Sequence, residues 1–171
     1  MKGLNLEPFP TKNEVTRAAA KAIETVSLDR DLEWFRIASL GEPVLVRTLS
    51  GDPSYWLIPV RLKTRVGGFV RVMRDGTVGA VGRFGVDPEH PHNWPTTVTG
   101  IDAEEASRQA SQLIAEDEQA SEPMFVHDGP PGREAWLVTT FIAGSAARWI
   151  FVTSGFTYER RAGEPLDTDL E

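Results

Sequence analysis

Histidines are the first residues in this chain with chemistry to offer. His90 and His92 lie in Asp87-Pro-Glu-His90-Pro-His92-Asn-Trp94, and His127 stands beside Asp128. A His-x-His pair next to carboxylates can chelate zinc, because imidazole nitrogen and carboxylate oxygen both suit that ion. The spacing matches no structural-zinc pattern, and Pro88, Pro91 and Pro95 stiffen the stretch Val86–Thr97. The plainer reading is an extended, solvated linker. Nucleophilic catalysis needs an activated Ser or Thr beside a base. No Gly-x-Ser-x-Gly elbow is present, and Ala143-Gly144-Ser145-Ala146 reads as a hairpin turn. Gly79-Ala-Val-Gly-Arg-Phe-Gly85 lacks the Lys-Ser/Thr of a phosphate loop and reads as a strand. Glu104-Glu105 and Glu116-Asp117-Glu118 read as solvated helix faces or ends. Trp56 and Trp136 read as core anchors. No catalytic residue, metal ligand or cofactor site is assigned on these grounds.

Recognition chemistry is more visible. Strand alternation puts successive side chains on opposite faces. It places Val44, Val46, Trp56, Ile58, Val60, Val70 and Val72 on one face of a first sheet, with Leu45, Arg47, Leu57, Arg61, Lys63, Phe69, Arg71 and Arg83 opposite. The second set carries a basic stripe on an acidic protein. In a second sheet, Met124, Val126, Trp136, Val138, Ile150 and Val152 share one face, and Phe125, His127, Leu137, Phe141, Trp149 and Phe151 the other. That aromatic face exceeds what a monomer leaves in water. The candidate partner-binding residues are Arg47, Arg61, Arg71, Arg83, Trp149 and Phe151.

The elements that must position these residues come in two sets. Glu42-Pro43-Val44 is echoed by Glu122-Pro123-Met124, Tyr55-Trp56-Leu57 by Ala135-Trp136-Leu137, and Gly68-Phe69-Val70 by Arg148-Trp149-Ile150, always at an offset of 80. Internal repeats decide architecture first. A helix precedes each set of strands. In the first, Val15, Ala18, Ala19, Ala22, Ile23 and Val26 form the apolar stripe, and Thr11 with Glu14 forms a capping box. In the second, Ala103, Ala106, Ala110, Leu113 and Ile114 form the stripe, with Thr99 as cap, Asp102 at the box position and Val98 stapled to Ala103. A short helix is expected around Asp31–Ile37. Strands are expected at 44–49, 54–63, 68–74 and 77–84, then at 123–127, 134–143, 148–153 and 156–160. Asp75-Gly76 is the strongest hairpin signal. The expected fold is α+β, two repeated units, each a helix packed on one face of an antiparallel β-meander. The domains are 1–98 with its linker, 99–160, and an acidic flexible tail at 161–171.

Composition sets the outer limits. The chain of 171 residues is 40% hydrophobic and carries 25 acidic against 18 basic residues, a formal charge of −7. That balance argues against nucleic acid and anionic membrane as partners. It has no cysteine, so disulfides and thiolate metal sites are excluded. The first residues lack the apolar stretch of a signal peptide, and the expected location is cytoplasmic.

Thr99-Gly-Ile-Asp-Ala-Glu-Glu-Ala106 before a helix, then Ala135-Trp-Leu-Val138 and a hairpin, resembles the PepSY-type pattern. Thr11 to Ala18, with Tyr55-Trp-Leu-Ile-Pro-Val60, Phe69-Val-Arg-Val72 and Asp75-Gly-Thr-Val78, resembles it too. Ser154-Gly155 stands in the second unit where the pattern has Asp-Gly. The resemblance implies a small helix-on-sheet fold with inhibitory or binding roles, often tied to peptidase propeptides, and it carries no catalytic residues over. The same plan fits cystatin-like and immunity-type proteins. The functional expectation is therefore a non-enzymatic binding or regulatory module. It would act on a protein partner or as a homodimer through a sheet face. The alternatives are a metal-dependent or hydrolytic enzyme using the histidine loop, and a structural homodimer with no ligand.

Overall fold

The computed structural model describes residues 8–84 and 89–164, with the backbone alone at Arg30. The chain is α+β and its strands are mostly antiparallel. It divides into two compact units: Met1–Leu45 with Pro53–Val98, and Val46–Asp52 with Thr99–Glu171. Among the described residues no helix is long and apolar enough to cross a membrane.

In the first unit α1 (Lys12–Val26) starts at the expected capping box. The Thr11 hydroxyl accepts the Glu14 N–H, and the Glu14 carboxylate accepts the Thr11 N–H. A 3-10 helix follows at Arg30–Ile37, then β1 (Ser39–Leu40), β2 (Val44–Arg47, of which Val46 and Arg47 belong to the second unit), β3 (Pro53–Leu62), β4 (Arg65–Met73) and β5 (Val78–Arg83). β3, β4 and β5 form an antiparallel meander, with β1 paired to the end of β3. Val15 and Ala19 of α1 pack with Phe35, Trp56, Ile58, Val60, Val70 and Val72 in one buried cluster. Burial of each of the larger aliphatic side chains stabilises the unit by about 1.5–3 kcal/mol. The Trp56 indole Nε1 donates to the Pro10 carbonyl at 3.0 Å, which ties the sheet to the residue before the helix cap.

Two parity expectations are corrected here. Leu45, not Val44 or Val46, packs against the helix-side cluster. Arg83 pairs with Gly68, and Val81 with Val70, so Arg83 shares the helix-bearing face and not that of Arg71. The cause is a β-bulge between Arg71 and Val72, which shifts the register and breaks simple alternation along β5.

The stretch expected to be an extended linker is a packed strap where it is described; Val86, Asp87 and Pro88 lie outside the described residues. Pro91–Asn93 forms a 3-10 turn, and Trp94 is only 2% exposed. The Trp94 ring lies 4.9 Å from that of Trp34. It also occupies the space where a Cβ on Gly67 would stand, 2.2 Å from its nearest atom. Arg65 donates to the Trp94 carbonyl, and the Val66 N–H to that of Pro95.

In the second unit α2 (Ala103–Ser111) is capped by Asp102, whose carboxylate accepts the Glu105 N–H at 2.8 Å. This corrects the assignment of Thr99. Gly100 takes φ +77°, the left-handed region that suits glycine, and turns the chain before the helix starts. The Thr99 hydroxyl instead donates to the Ile101 carbonyl. Because the helix ends at Ser111, Leu113 leaves the stripe and is exposed. β6 (Gln119–Ala120), β7 (Met124–His127), β8 (Glu134–Ile142), β9 (Ser145–Val152) and β10 (Thr157–Arg161) follow. β7 to β10 form an antiparallel meander, β6 pairs with the end of β8, and β2 meets β7 in parallel at Arg47 and Val126. Ala106 and Ala110 pack on Val138, Ile150 and Val152. The Trp136 indole Nε1 donates to the Ile101 carbonyl at 3.0 Å.

The other face holds a second cluster of Val126, Ala135, Leu137 and Phe151. Here the β7 parity is corrected. Met124 lies opposite Leu137, and Phe125 opposite Trp136, so Met124 and Val126 point away from α2. The glycine- and proline-rich turn between β7 and β8 resets the register, and alternation cannot be carried through it. Leu49, Met124, Trp149 and Tyr158 cover this cluster from within the unit. Of the expected tail at 161–171, Arg161 ends β10 and Ala162 bonds to Ala147; residues 165–171 lie outside the described residues.

Candidate functional site

The second unit concentrates its polar chemistry at one place. The turn Asp128-Gly-Pro-Pro-Gly-Arg133 joins β7 to β8, and its ends close through the Asp128 N–H to the Arg133 carbonyl at 2.9 Å. Gly129 takes φ +90°, so the turn needs glycine there. The His127 Nδ1 N–H donates to the Gly129 carbonyl at 2.6 Å. Asp128 lies two residues beyond Val126 and so points to the same face as the second cluster. Its carboxylate is only 2% exposed.

β10 supplies the partners. Tyr158 and Arg160 share a face, and Tyr158 stacks on Phe151 at 4.8 Å with rings 8° from parallel. The Tyr158 hydroxyl donates to Asp128 at 2.7 Å, and Arg160 donates to its other oxygen at 2.7 Å. Arg133 stands farther off, at 3.8 Å, with 60% of its side chain exposed. Burial, and then the bond to Asp128, raise the Tyr158 pKa above its ordinary value. The phenol is therefore held protonated as a donor, which suits a lock and not a proton acceptor.

Beside this lock lies a hollow of about 430 Å³, lined by Gly132, Arg133, Glu134, Thr153, Phe156 and Tyr158. Phe156 is 64% exposed, yet its backbone is fixed. The Thr153 hydroxyl accepts the N–H groups of Gly155 and Phe156 and donates to the Phe156 carbonyl. Glu134 accepts the Gly132 N–H at 3.1 Å.

A second ionic lock holds the loop after α2. Glu118 was expected to be solvated, but its side chain is 3% exposed. It is bonded by Arg148, by the Thr140 hydroxyl at 2.9 Å and by the Ala115 N–H at 2.9 Å. Arg148 also pairs with Glu159 and donates to the Leu113 carbonyl. The Arg148 bond is the first cause, and the Ala115 N–H the next, of a Glu118 pKa lowered to about 2. The unfolded chain binds this proton more tightly than the folded one. The stabilisation is complete above about 4.5, the ordinary value, and is lost as pH falls through about 2. Glu118→Gln is expected to flatten the acid limb of stability across that window, read as urea midpoint against pH. Glu105 titrates in the same window in both proteins, so the difference isolates Glu118.

Of the six residues singled out by sequence, Arg61, Arg71 and Arg83 belong to the first unit and Arg47, Trp149 and Phe151 to the second. Arg47 donates to the Gly51 carbonyl at 2.8 Å and closes the loop after β2. Arg61 reaches the carbonyls of Thr64 and Thr96. The Arg71 guanidinium lies over the rings of Tyr55, at 5.2 Å, and Phe69, at 5.7 Å. Arg83 is exposed on the helix-bearing face. Trp149 is half-buried, and Phe151 is fully buried and offers a partner no surface. His90 and His92 sit with ring centroids 5.9 Å apart, and among the described residues no three metal-ligating side chains converge. Sequence reasoning passed over Arg133, Phe156 and Tyr158. The signal available was the Asp-Gly-Pro-Pro-Gly turn, whose rigidity suits a site wall.

No protein-family model, no curated protein and no solved structure matches this chain.

Proposed function

We propose that this chain is a non-enzymatic binding or regulatory module built of two PepSY-like helix-on-sheet units, and that it takes its partner at the hollow of the second unit. Support for the duplication comes from backbone irregularities that recur at an offset of 80. The β-bulges fall at Val60/Arg61 and at Thr140/Phe141. The positive-φ turn residues are Lys63 and Ala143. The short strands pair as Leu40 with Val60 and as Ala120 with Thr140. Each indole donor reaches the carbonyl just before a helix cap, Pro10 before Thr11 and Ile101 before Asp102. The caps are 91 residues apart and the tryptophans 80, so the first unit carries the longer helix-to-sheet connection.

The observation that carries the contact site is the exposed Phe156 side chain, on a backbone fixed by Thr153, lining one hollow with Arg133 while Asp128 is taken up by Tyr158 and Arg160. An exposed aromatic fixed by its own turn costs little entropy on binding. Such a wall suits a partner that offers an apolar group next to a carboxylate. The test is co-purification from the native host with wild type, Arg133→Glu/Phe156→Ser and Arg83→Glu. A partner kept by the wild type and by Arg83→Glu, and lost by the folded double variant, supports the site. A partner indifferent to the double change overturns it.

A further inference from the structure

We propose that the first unit carries the self-contact surface of a two-fold dimer of this chain, at the cleft between α1 and the 3-10 helix. The cleft holds about 390 Å³. Ala20, Ile23 and Glu24 stand at i, i+3 and i+4 and present one stripe of α1 to it, and Phe35 and Arg36 of the 3-10 helix line it too. Ile23, Ala38 and Leu40 give it apolar surface that the core cluster covers only in part. Two apolar side chains stand out beside it. Leu28 is 77% exposed and follows Ser27, a lining residue. Ile37 is 75% exposed and lies between Arg36 and Ala38, which both line the cleft. Among the described residues these are the two most exposed large hydrophobic side chains.

A knob and a hole on one patch suit a two-fold contact, since each copy then offers Leu28 and Ile37 to the cleft of the other. The charges select the same occupant. The cleft carries one acid, Glu24 on α1, and one base, Arg36 on the 3-10 helix. Under a two-fold axis Glu24 of each copy meets Arg36 of the other, so one pairing is made twice. Glu33 reaches Arg36 at a single nitrogen, at 3.8 Å, with both side chains more than half exposed. That contact is weak, and the other guanidinium nitrogens keep their donors for a partner. A chain of net charge −7 repels its copy at long range, so association favours a patch where a cation meets an acid. The knobs are preset. The Asp29 N–H donates to the Val26 carbonyl at 2.9 Å, and the Asp29 carboxylate accepts the Asp31 N–H at 3.0 Å, which fixes the backbone around Leu28. The Ala38 N–H donates to the Phe35 carbonyl at 3.2 Å and closes the turn that carries Ile37. A preorganised backbone lowers the entropy lost on association.

The test is sedimentation velocity of the full chain at concentrations on the order of 1–100 µM. Wild type is expected to pass from monomer to dimer in that range. Leu28→Ser/Ile37→Ser is expected to stay monomeric throughout, with melting curves reporting that it folds. Glu24→Arg and Arg36→Glu are each expected to weaken the dimer about tenfold, because each brings like charges together twice. Mixing these two variants is expected to restore association, since each new charge then meets its opposite across the axis. Arg133→Glu/Phe156→Ser should dimerise as wild type does. A wild type that stays monomeric overturns the inference, and so does a dimer that survives Leu28→Ser/Ile37→Ser. Single charge variants that fail alone and fail together overturn it too, because their effect does not cross the contact. A dimer lost in Arg133→Glu/Phe156→Ser places the self-contact in the second unit and overturns the inference. A host partner lost by that variant while the dimer persists supports both surfaces.

Discussion

Trp94→Ala is expected to lower the stability of the first unit by about 3–5 kcal/mol. The ring is only 2% exposed, and its contacts are aromatic on one side and backbone on the other. Nothing else in the strap can fill the space, because its neighbours Pro91 to Asn93 form a tight turn. The loss exceeds simple burial, since Gly67 has no side chain with which to collapse into the cavity. Gly67→Val should be damaging for the opposite reason. A Cβ there stands 2.2 Å from the Trp94 ring and 2.7 Å from that of Trp34. The double variant should recover part of the sum, because each change removes the other's problem. Urea midpoints for the four proteins check this. Additive losses, or a Trp94→Ala loss below about 1 kcal/mol, would contradict the packing described.

Asp128→Ala is expected to cost the second unit about 2–3 kcal/mol. The change removes an ionic bond between a 2% exposed carboxylate and Arg160, which is 19% exposed. It also removes the acceptor of the Tyr158 hydroxyl. The ionic bond between Asp128 and Arg160 is the larger loss, so Tyr158→Phe should cost less, on the order of 1 kcal/mol. Asp128→Ala with Arg160→Met should recover stability over Asp128→Ala alone. Thermal and urea unfolding measure all four proteins. Equal losses for Asp128→Ala and Tyr158→Phe would contradict this, showing that Arg160 adds nothing beyond the phenol's bond.

Much of this fold was legible because its signals are local. The Thr11 and Glu14 pair, the Asp75-Gly76 turn and the Ala143-Gly144 turn each name their own geometry, and each stands where expected. What failed was carried across interruptions. Arg83 lies past a bulge, and Met124 and Val126 precede a turn of irregular length, so faces assigned by counting are reversed. Asp102 and Glu105 also spell a capping pair, but the Thr99 signal three residues earlier competed with it, and the deciding conformation of Gly100 is not written in side chains. Gly67-Gly68 inside a strand did hint that something approaches closely, and Trp94 is that group. The hollow was the least legible feature. Arg133 comes from the turn before β8, while Phe156 and Tyr158 come from around the start of β10, and only the pairing of the meander brings the two segments together.

Amide hydrogen exchange on the recovered complex, compared with the free chain, tests the contact site most directly. Slower exchange is expected at Gly132, Arg133 and the 153–158 turn when partner is bound, with the first-unit sheet unchanged. Protection confined to the first unit, with the 132–134 and 153–158 segments exchanging as in the free chain, would contradict the account.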